Sequence, residues 1–110
     1  MTRTEFTLKI AQLIFLMAKD DFPVMDFVMR SQSEQKRLFD AGLSKCDGKI
    51  KISRHQLGLA MDIYFLDDKG NIDFGYESQR AKDCAVKYHD IWVTMGGKPM
   101  ISWDKSHYEA

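Results

Sequence analysis

A histidine and an aspartate stand seven positions apart in the segment Ser53-Arg54-His55-Gln56-Leu57-Gly58-Leu59-Ala60-Met61-Asp62. If this segment were fully extended, His55 and Asp62 would lie about 23 Å apart at roughly 3.3 Å per residue, too far to bind one ion. The chain must therefore turn between them if the two side chains are to act together. Gly58 permits such a turn, because glycine tolerates backbone angles that other residues avoid.

Asp62 falls inside an apolar run that predicts a strand over residues 60–66. Side chains alternate between the two faces of a strand, so Asp62 points the same way as Ala60 and Tyr64. A carboxylate in such a strand costs several kcal/mol unless it is paired or bound to a metal. The sequence therefore predicts that Asp62 has a partner.

A second group of polar residues lies near the C-terminus, in Trp103-Asp104-Lys105-Ser106-His107-Tyr108-Glu109. The spacing of Asp104 and His107 can put a carboxylate and an imidazole side by side across one tight turn. Together, His55, Asp62 and His107 would make three protein ligands with an open fourth position, which is typical of catalytic zinc. A structural zinc site would need a fourth protein ligand, for which we name Cys46 as the candidate.

The chain has 110 residues and a mass of 12.8 kDa, which predicts a single domain over residues 1–110. Sixteen Lys and Arg residues balance sixteen Asp and Glu residues, which argues against a general nucleic-acid binder. Cys46 and Cys84 form no CxxC pair, so we expect both to be reduced. We expect the domain to be a monomer that binds no nucleic acid.

The most hydrophobic run, residues 10–18, is interrupted by Gln12 and is well short of the roughly 20 apolar residues that a membrane span needs. It does not fit a secretory signal, because Glu5 stands in the basic region and Lys19-Asp20-Asp21 occupies the place of a cleavage site. We therefore expect synthesis in the cytoplasm without a signal peptide, and no stable insertion into a membrane.

Two longer helices are predicted. The first begins with a capping box formed by Thr2 and Glu5 and runs to about Lys19. The other spans about residues 77–95, where apolar side chains recur at helical spacing. His89 lies off the centre of its apolar face, which predicts a structural or solvent-facing histidine and not a ligand.

A short helix is predicted between them. Ser31 or Ser33 is its cap, Leu38 and Phe39 face inward, and Gly42 ends it. A polar loop follows over residues 44–51. The predicted strands are residues 23–29, residues 60–66, residues 72–74 and a last one from residue 100 to the C-terminus. This order predicts an α+β fold with a small, mainly antiparallel sheet.

Three motifs, in the same order along the chain, resemble those of the zinc D-alanyl-D-alanine carboxypeptidase family, which includes the L-alanyl-D-glutamate endopeptidases of phage endolysins. The family signature SxHxxGxAxD is matched by Ser53-x-His55-x-x-Gly58-x-Ala60-x-Asp62. Its RSxxEQxxLxxxG segment is similar to Arg30-Ser31-x-x-Glu34-Gln35-x-x-Leu38-Phe39-x-x-Gly42. Its WxDxxHFE ending is similar, with a less common spacing, to Trp103-Asp104-x-x-His107-Tyr108-Glu109. The resemblance covers about residues 6–109 and implies the Hedgehog/DD-peptidase fold.

The resemblance also implies roles for particular side chains. Asp104 would accept a proton from the attacking water and deliver it to the leaving amine. Arg30 would hold the carbonyl oxygen of the substrate as negative charge develops on it. Ser53 and Gln35 would orient the substrate or the groups behind the metal ligands. The implied zinc ligands are His55, Asp62 and His107.

The implied function is a zinc metallopeptidase, a hydrolase that cuts the stem peptides of peptidoglycan and so degrades the cell wall or acts in the periplasm. Its activity would be that of an L-alanyl-D-glutamate endopeptidase of endolysin type or of a D-alanyl-D-alanine carboxypeptidase. Asp104 favours the endolysin branch, since many other members of the family have Glu at this position. Residues 96–103, in contrast, lack the WGGxW pattern that is frequent in that branch. The alternative is a non-catalytic, zinc-containing module that binds peptidoglycan, which would not need Asp104. Tyr64 and Trp103 suit either a peptide groove or the core.

Overall fold

The computed structural model describes residues 1–26, 31–49 and 52–110, and these residues form an α+β fold with three helices and one small sheet. The helices are α1 (Arg3–Asp20), α2 (Gln32–Asp40) and α3 (Gln79–Thr94). The strands are β1 (Val24–Met25), β2 (Ala60–Tyr64) and β3 (His107–Glu109). β2 lies in the middle of the sheet and pairs antiparallel with both neighbours. The predicted fold class is confirmed.

The start of α1 is fixed by the predicted capping box. The Thr2 hydroxyl accepts a hydrogen bond from the Glu5 backbone N–H at 3.1 Å, and the Glu5 carboxylate accepts one from the Thr2 N–H at 3.4 Å. These bonds satisfy backbone donors that have no partner within the helix. One face of α1 then packs into the core through Phe6, Ile10, Leu13 and Met17.

α3 begins where two side chains accept backbone N–H groups of its first turn and of the two residues before it. Ser78 is the cap, and its hydroxyl accepts from the Ala81 N–H at 3.1 Å. The Asp73 carboxylate accepts from the N–H groups of Glu77 and Ser78 at 3.0 and 2.8 Å. Because Asp73 turns the chain into α3 in this way, the strand predicted over residues 72–74 is reduced to a single bridge between residues 72 and 66.

α3 positions β3, the strand that carries His107. The indole N–H of fully buried Trp92 donates to the carbonyl oxygen of Glu109 at 2.9 Å. The His89 ring stacks on Tyr108 with 3.9 Å between ring centroids, and its Nε2 lies 2.7 Å from the carbonyl oxygen of Lys105. His89 is therefore structural, as predicted, but it is buried and does not face solvent.

Three further predictions differ from the structure. Phe39 does not face inward: it is 44% exposed, because the buried side of this nine-residue helix is centred on Gln35 and Leu38. The last strand covers only residues 107–109, since residues 101–106 form turns with one bridge between residues 101 and 104. The strand predicted over residues 23–29 is seen as β1, and its residues 27–29 lie outside the described residues.

Other details of the chain follow the predictions. α2 is capped by Ser31, whose hydroxyl accepts from the Glu34 N–H at 3.1 Å, and Gly42 follows its end with a φ of 74°. Cys46 and Cys84 are both free thiols, and burial raises the pKa of the Cys84 thiol to about 11. Within the described ranges, no helix is long and apolar enough to cross a bilayer.

Candidate metal centre

A tight turn brings His55 back towards β2. Two backbone hydrogen bonds close this turn. The N–H of Gln56 donates to the carbonyl of Ser53 at 3.0 Å, and the N–H of Gly58 donates to the carbonyl of His55 at 3.2 Å. Gly58 has a φ of 68°, a left-handed conformation that glycine adopts without strain. As a result, His55 Nε2 lies 3.3 Å from Asp62 Oδ1, which confirms the turn predicted between the two residues.

The third side chain, that of His107, lies on the neighbouring strand β3. Asp62 and His107 are directly opposite each other in the antiparallel pair of β2 and β3, so their side chains emerge on the same face. His107 Nδ1 lies 3.5 Å from Asp62 Oδ1 and 3.2 Å from His55 Nε2. The structure thus brings together the three residues that the sequence analysis named as zinc ligands.

The three atoms form a triangle of the size that zinc requires. Its sides are 3.2, 3.3 and 3.5 Å, and tetrahedral zinc bound to nitrogen and oxygen keeps its ligand atoms roughly 3.3–3.5 Å apart. A proton bridges two of these atoms at a time, whereas one zinc ion accepts a lone pair from all three. His55 and Asp62 are almost fully buried and His107 is partly buried. By donor type, spacing and burial, the site fits zinc.

The electrostatics of the cluster keep Asp62 ionised. Burial raises the pKa of the Asp62 carboxyl, but the hydrogen bonds and charges of His107 and His55 outweigh burial and hold that pKa well below its usual value. Burial lowers the pKa of His107, but the adjacent Asp62 carboxylate outweighs this and leaves the pKa raised. A metal ion bound by His107 would therefore displace a proton from it.

Glu109 lies behind His107 and was given no role by the sequence analysis. Its Oε2 is 3.7 Å from His107 Nε2, the ring nitrogen that does not face the cluster, and 3.5 Å from Arg54 Nε. At this distance the carboxylate makes no hydrogen bond to the ring, but its negative charge attracts positive charge on His107. The signal was present in the sequence, because residues 107 and 109 of one strand point to the same face.

Asp104 lines the same cavity as the cluster. The Ser106 hydroxyl donates to Asp104 Oδ1 at 3.3 Å, and the His107 N–H donates to the Asp104 carbonyl at 3.1 Å. Burial, followed by the negative charge of Asp62, raises the pKa of the Asp104 carboxyl. A carboxyl group with a raised pKa takes up a proton more readily than an ordinary aspartate does.

The cavity has a volume of about 500 Å³ and opens over the cluster. Ser53 is buried in its wall, where its hydroxyl accepts from the His55 N–H at 3.2 Å. Tyr64 and Trp103 both line the cavity; Trp103 is 68% exposed and is not part of the core, whereas Tyr64 also packs against the core. These contacts favour the groove interpretation for Trp103.

Other named residues lie elsewhere or outside the described ranges. Gln35 is fully buried and does not line the cavity; its Nε2 donates to Ser44 Oγ and to the Cys46 carbonyl, each at 2.7 Å. Cys46 is in the cavity wall, and among the described residues the cluster includes no fourth protein ligand. Arg30 is not among the described residues, so its role stays a prediction.

No protein-family model matches this chain, and no curated protein matches it in sequence. The fold is similar to that in the crystal structure of the L-Ala D-Glu endopeptidase ChiX of Serratia marcescens, with a TM-score of 0.63. The match has 18% sequence identity and covers 92% of this chain and 77% of that one. The likeness at this identity is one of fold: the chain has the α+β architecture of that endopeptidase.

Proposed function

We propose that the chain is a zinc-dependent peptidase that hydrolyses peptidoglycan stem peptides at the L-alanyl-D-glutamate bond. The observation that carries the proposal is the buried triangle of His55, Asp62 and His107, with the carboxyl group of Asp104 in the same cavity. The shared fold with an L-Ala D-Glu endopeptidase supports the choice of bond. Such an enzyme would act at the cell wall or in the periplasm.

The ligand residues and Asp104 have separate tasks in this proposal. His55, Asp62 and His107 would hold the ion, which when bound polarises a carbonyl group and lowers the pKa of a water molecule. Asp104 would take the proton of the attacking water and pass it to the leaving amine. The Ser106 hydroxyl donates to Asp104 Oδ1, which keeps Oδ2 available for that proton.

The surroundings of the site support hydrolysis more than simple binding. The Glu109 carboxylate lies 3.7 Å from the outer nitrogen of His107 and attracts positive charge on the ring. Burial of His55 and Asp62 keeps bulk water away, which strengthens the electrostatic interactions inside the site. A module that only binds peptidoglycan would have no use for a second carboxyl group, that of Asp104, in the same cavity.

The test is mass spectrometry of the soluble products after zinc-loaded protein is incubated with purified peptidoglycan. New amino termini on D-glutamate, absent from a chelator-treated sample, are the expected result. Released D-alanine would instead assign a D-alanyl-D-alanine carboxypeptidase. If the wall is returned unchanged while the protein still sediments with it in the presence of zinc, the peptidase is ruled out in favour of a binding module.

A further inference from the structure

We infer that Lys45 binds the substrate carboxylate on the leaving-group side of the scissile bond, and so makes the site selective for an acidic residue there. This inference rests on the proposed function. Hydrolysis of an L-alanyl-D-glutamate bond releases the amine of a glutamate, whose free carboxylate lies only a few bonds from the scissile nitrogen. We therefore expect a site for that bond to have a cation in the cavity that opens over the cluster.

The charges along the cavity make this expectation sharper. The acidic side chains in its wall, which would repel a substrate carboxylate, are Asp26, Asp62, Asp104 and Glu109. Among the described residues of the wall, the lysine and arginine side chains are Lys45 and Arg54. Arg54 is already engaged, with its Nε 3.5 Å from Glu109 Oε2. Lys45 makes no ion pair with any described carboxylate, so of these two described side chains it is the one left for a ligand.

The residues immediately before and after Lys45 are held in place by hydrogen bonds. Fully buried Gln35 donates its Nε2 to Ser44 Oγ and to the carbonyl oxygen of Cys46, both at 2.7 Å. The Cys46 N–H also donates to Ser44 Oγ, at 3.2 Å. The residues before and after Lys45 are thus tied to one buried amide, which gives Gln35 a positioning role behind the cavity wall.

The charged end of Lys45 is held by an aromatic ring. Its Nζ lies 4.4 Å from the ring centroid of Trp103, within the range of a cation–π interaction. The ring contacts one side of the ammonium group, and the group's remaining N–H donors are available to a carboxylate. Trp103 lines the same cavity and is largely exposed, so the pair stands where a peptide would enter.

The test compares two peptides that differ only at the leaving-group residue. The acidic peptide has D-glutamate there, and the amidated peptide has the same residue with its side-chain and terminal carboxyl groups converted to amides. For the wild type, KM should be at least about tenfold lower for the acidic peptide, because a charge-assisted hydrogen bond contributes a factor of this order. Lys45→Met should raise KM for the acidic peptide by about tenfold or more, leave KM for the amidated peptide within twofold, and leave kcat within twofold. Lys45→Arg should restore part of the selectivity.

Lys49→Met is the matched control, since Lys49 is an exposed lysine of the same loop that does not line the cavity; it should leave both KM values unchanged. The inference is overturned if Lys45→Met changes KM equally for both peptides or changes neither KM. In either case, cleavage by the wild type leaves the proposed function standing. If the zinc-loaded wild type cleaves neither peptide, the proposed function falls and the inference falls with it. Calorimetric titration of the acidic and amidated product peptides gives a readout of the same selectivity without turnover.

Discussion

Zinc should raise the melting temperature of this protein, and His107→Ala should remove most of the increase. Three ligand atoms already lie 3.2–3.5 Å apart in the folded chain. In the unfolded chain His55 and His107 are separated by 52 positions, so the preformed site exists only in the folded state. A ligand that binds only the folded state stabilises it by an amount set by its concentration relative to its dissociation constant.

The size of the effect follows from the length of the chain. At a free zinc concentration 100 times the dissociation constant, the stabilisation is about 2.7 kcal/mol. Unfolding 110 residues has an entropy of about 0.23 kcal/mol/K, so the melting temperature should rise by about 12 °C. Changes behind a ligand weaken metal binding by up to about 100-fold, and loss of the ligand itself should cost at least as much. His107→Ala should then show a rise of about 2 °C or less at the same zinc concentration.

The assay is thermal unfolding followed by circular dichroism, with zinc and with a chelator. Ile10→Val is the control, because Ile10 is a buried core residue of α1 that lies outside the cluster. It should lower the melting temperature without zinc and keep the full zinc-dependent rise. An equal rise in wild type and His107→Ala, or no rise in the wild type, would refute the assignment of the metal site.

Three other predictions follow from single contacts. Gly97→Ala should lower the free energy of unfolding by about 3 kcal/mol, because its Cβ would lie 2.0 Å from Trp92 Nε1; urea unfolding should show no such loss for Gly75→Ala, which meets only the flexible end of one side chain. Asp104→Asn should lower kcat by about 10²–10⁴ and keep the zinc-dependent rise in melting temperature, and near-normal turnover would exclude Asp104 from proton transfer. Two backbone N–H groups at the start of α3 hold the pKa of Asp73 below its usual value, so the stability its carboxylate provides is present above about pH 4 and lost as the pH falls through the lowered pKa. The urea midpoints of wild type and Asp73→Asn should therefore differ at pH 6 and converge in acid, and a difference that stays constant with pH would contradict this.

The features that could be predicted from the sequence are those decided by neighbouring residues. Thr2 and Glu5 cap α1 through bonds that span three positions, and Gly58 makes the turn that returns His55 to Asp62. The His55 and Asp62 pair needed only the inference that a buried carboxylate has a partner. Features of this kind can be predicted from the sequence because their energetics do not depend on the rest of the fold.

The features that could not be predicted depend on contacts between distant segments. Phe39 has the apolar character of a core residue, but the limited width of the buried face of α2 leaves it exposed. The role of Gln35 in holding Ser44 and Cys46 depends on how the loop after α2 folds back over it. The position of Lys45 over the ring of Trp103 joins two segments that are 58 positions apart. No periodicity in the sequence encodes contacts of this kind.

The proposed metal site depends on one register in the sheet. Asp62 faces His107 only because β2 and β3 pair in the observed alignment, and a slip by one residue would turn one of the two side chains to the opposite face. β3 has only three residues, and contacts from α3 add to the backbone bonds that fix its alignment. Trp92 holds the carbonyl oxygen of Glu109, and His89 stacks on Tyr108. The core contacts of α3 therefore help to set the geometry of the proposed ligands, and a substitution in α3 that releases β3 should weaken zinc binding without touching a ligand.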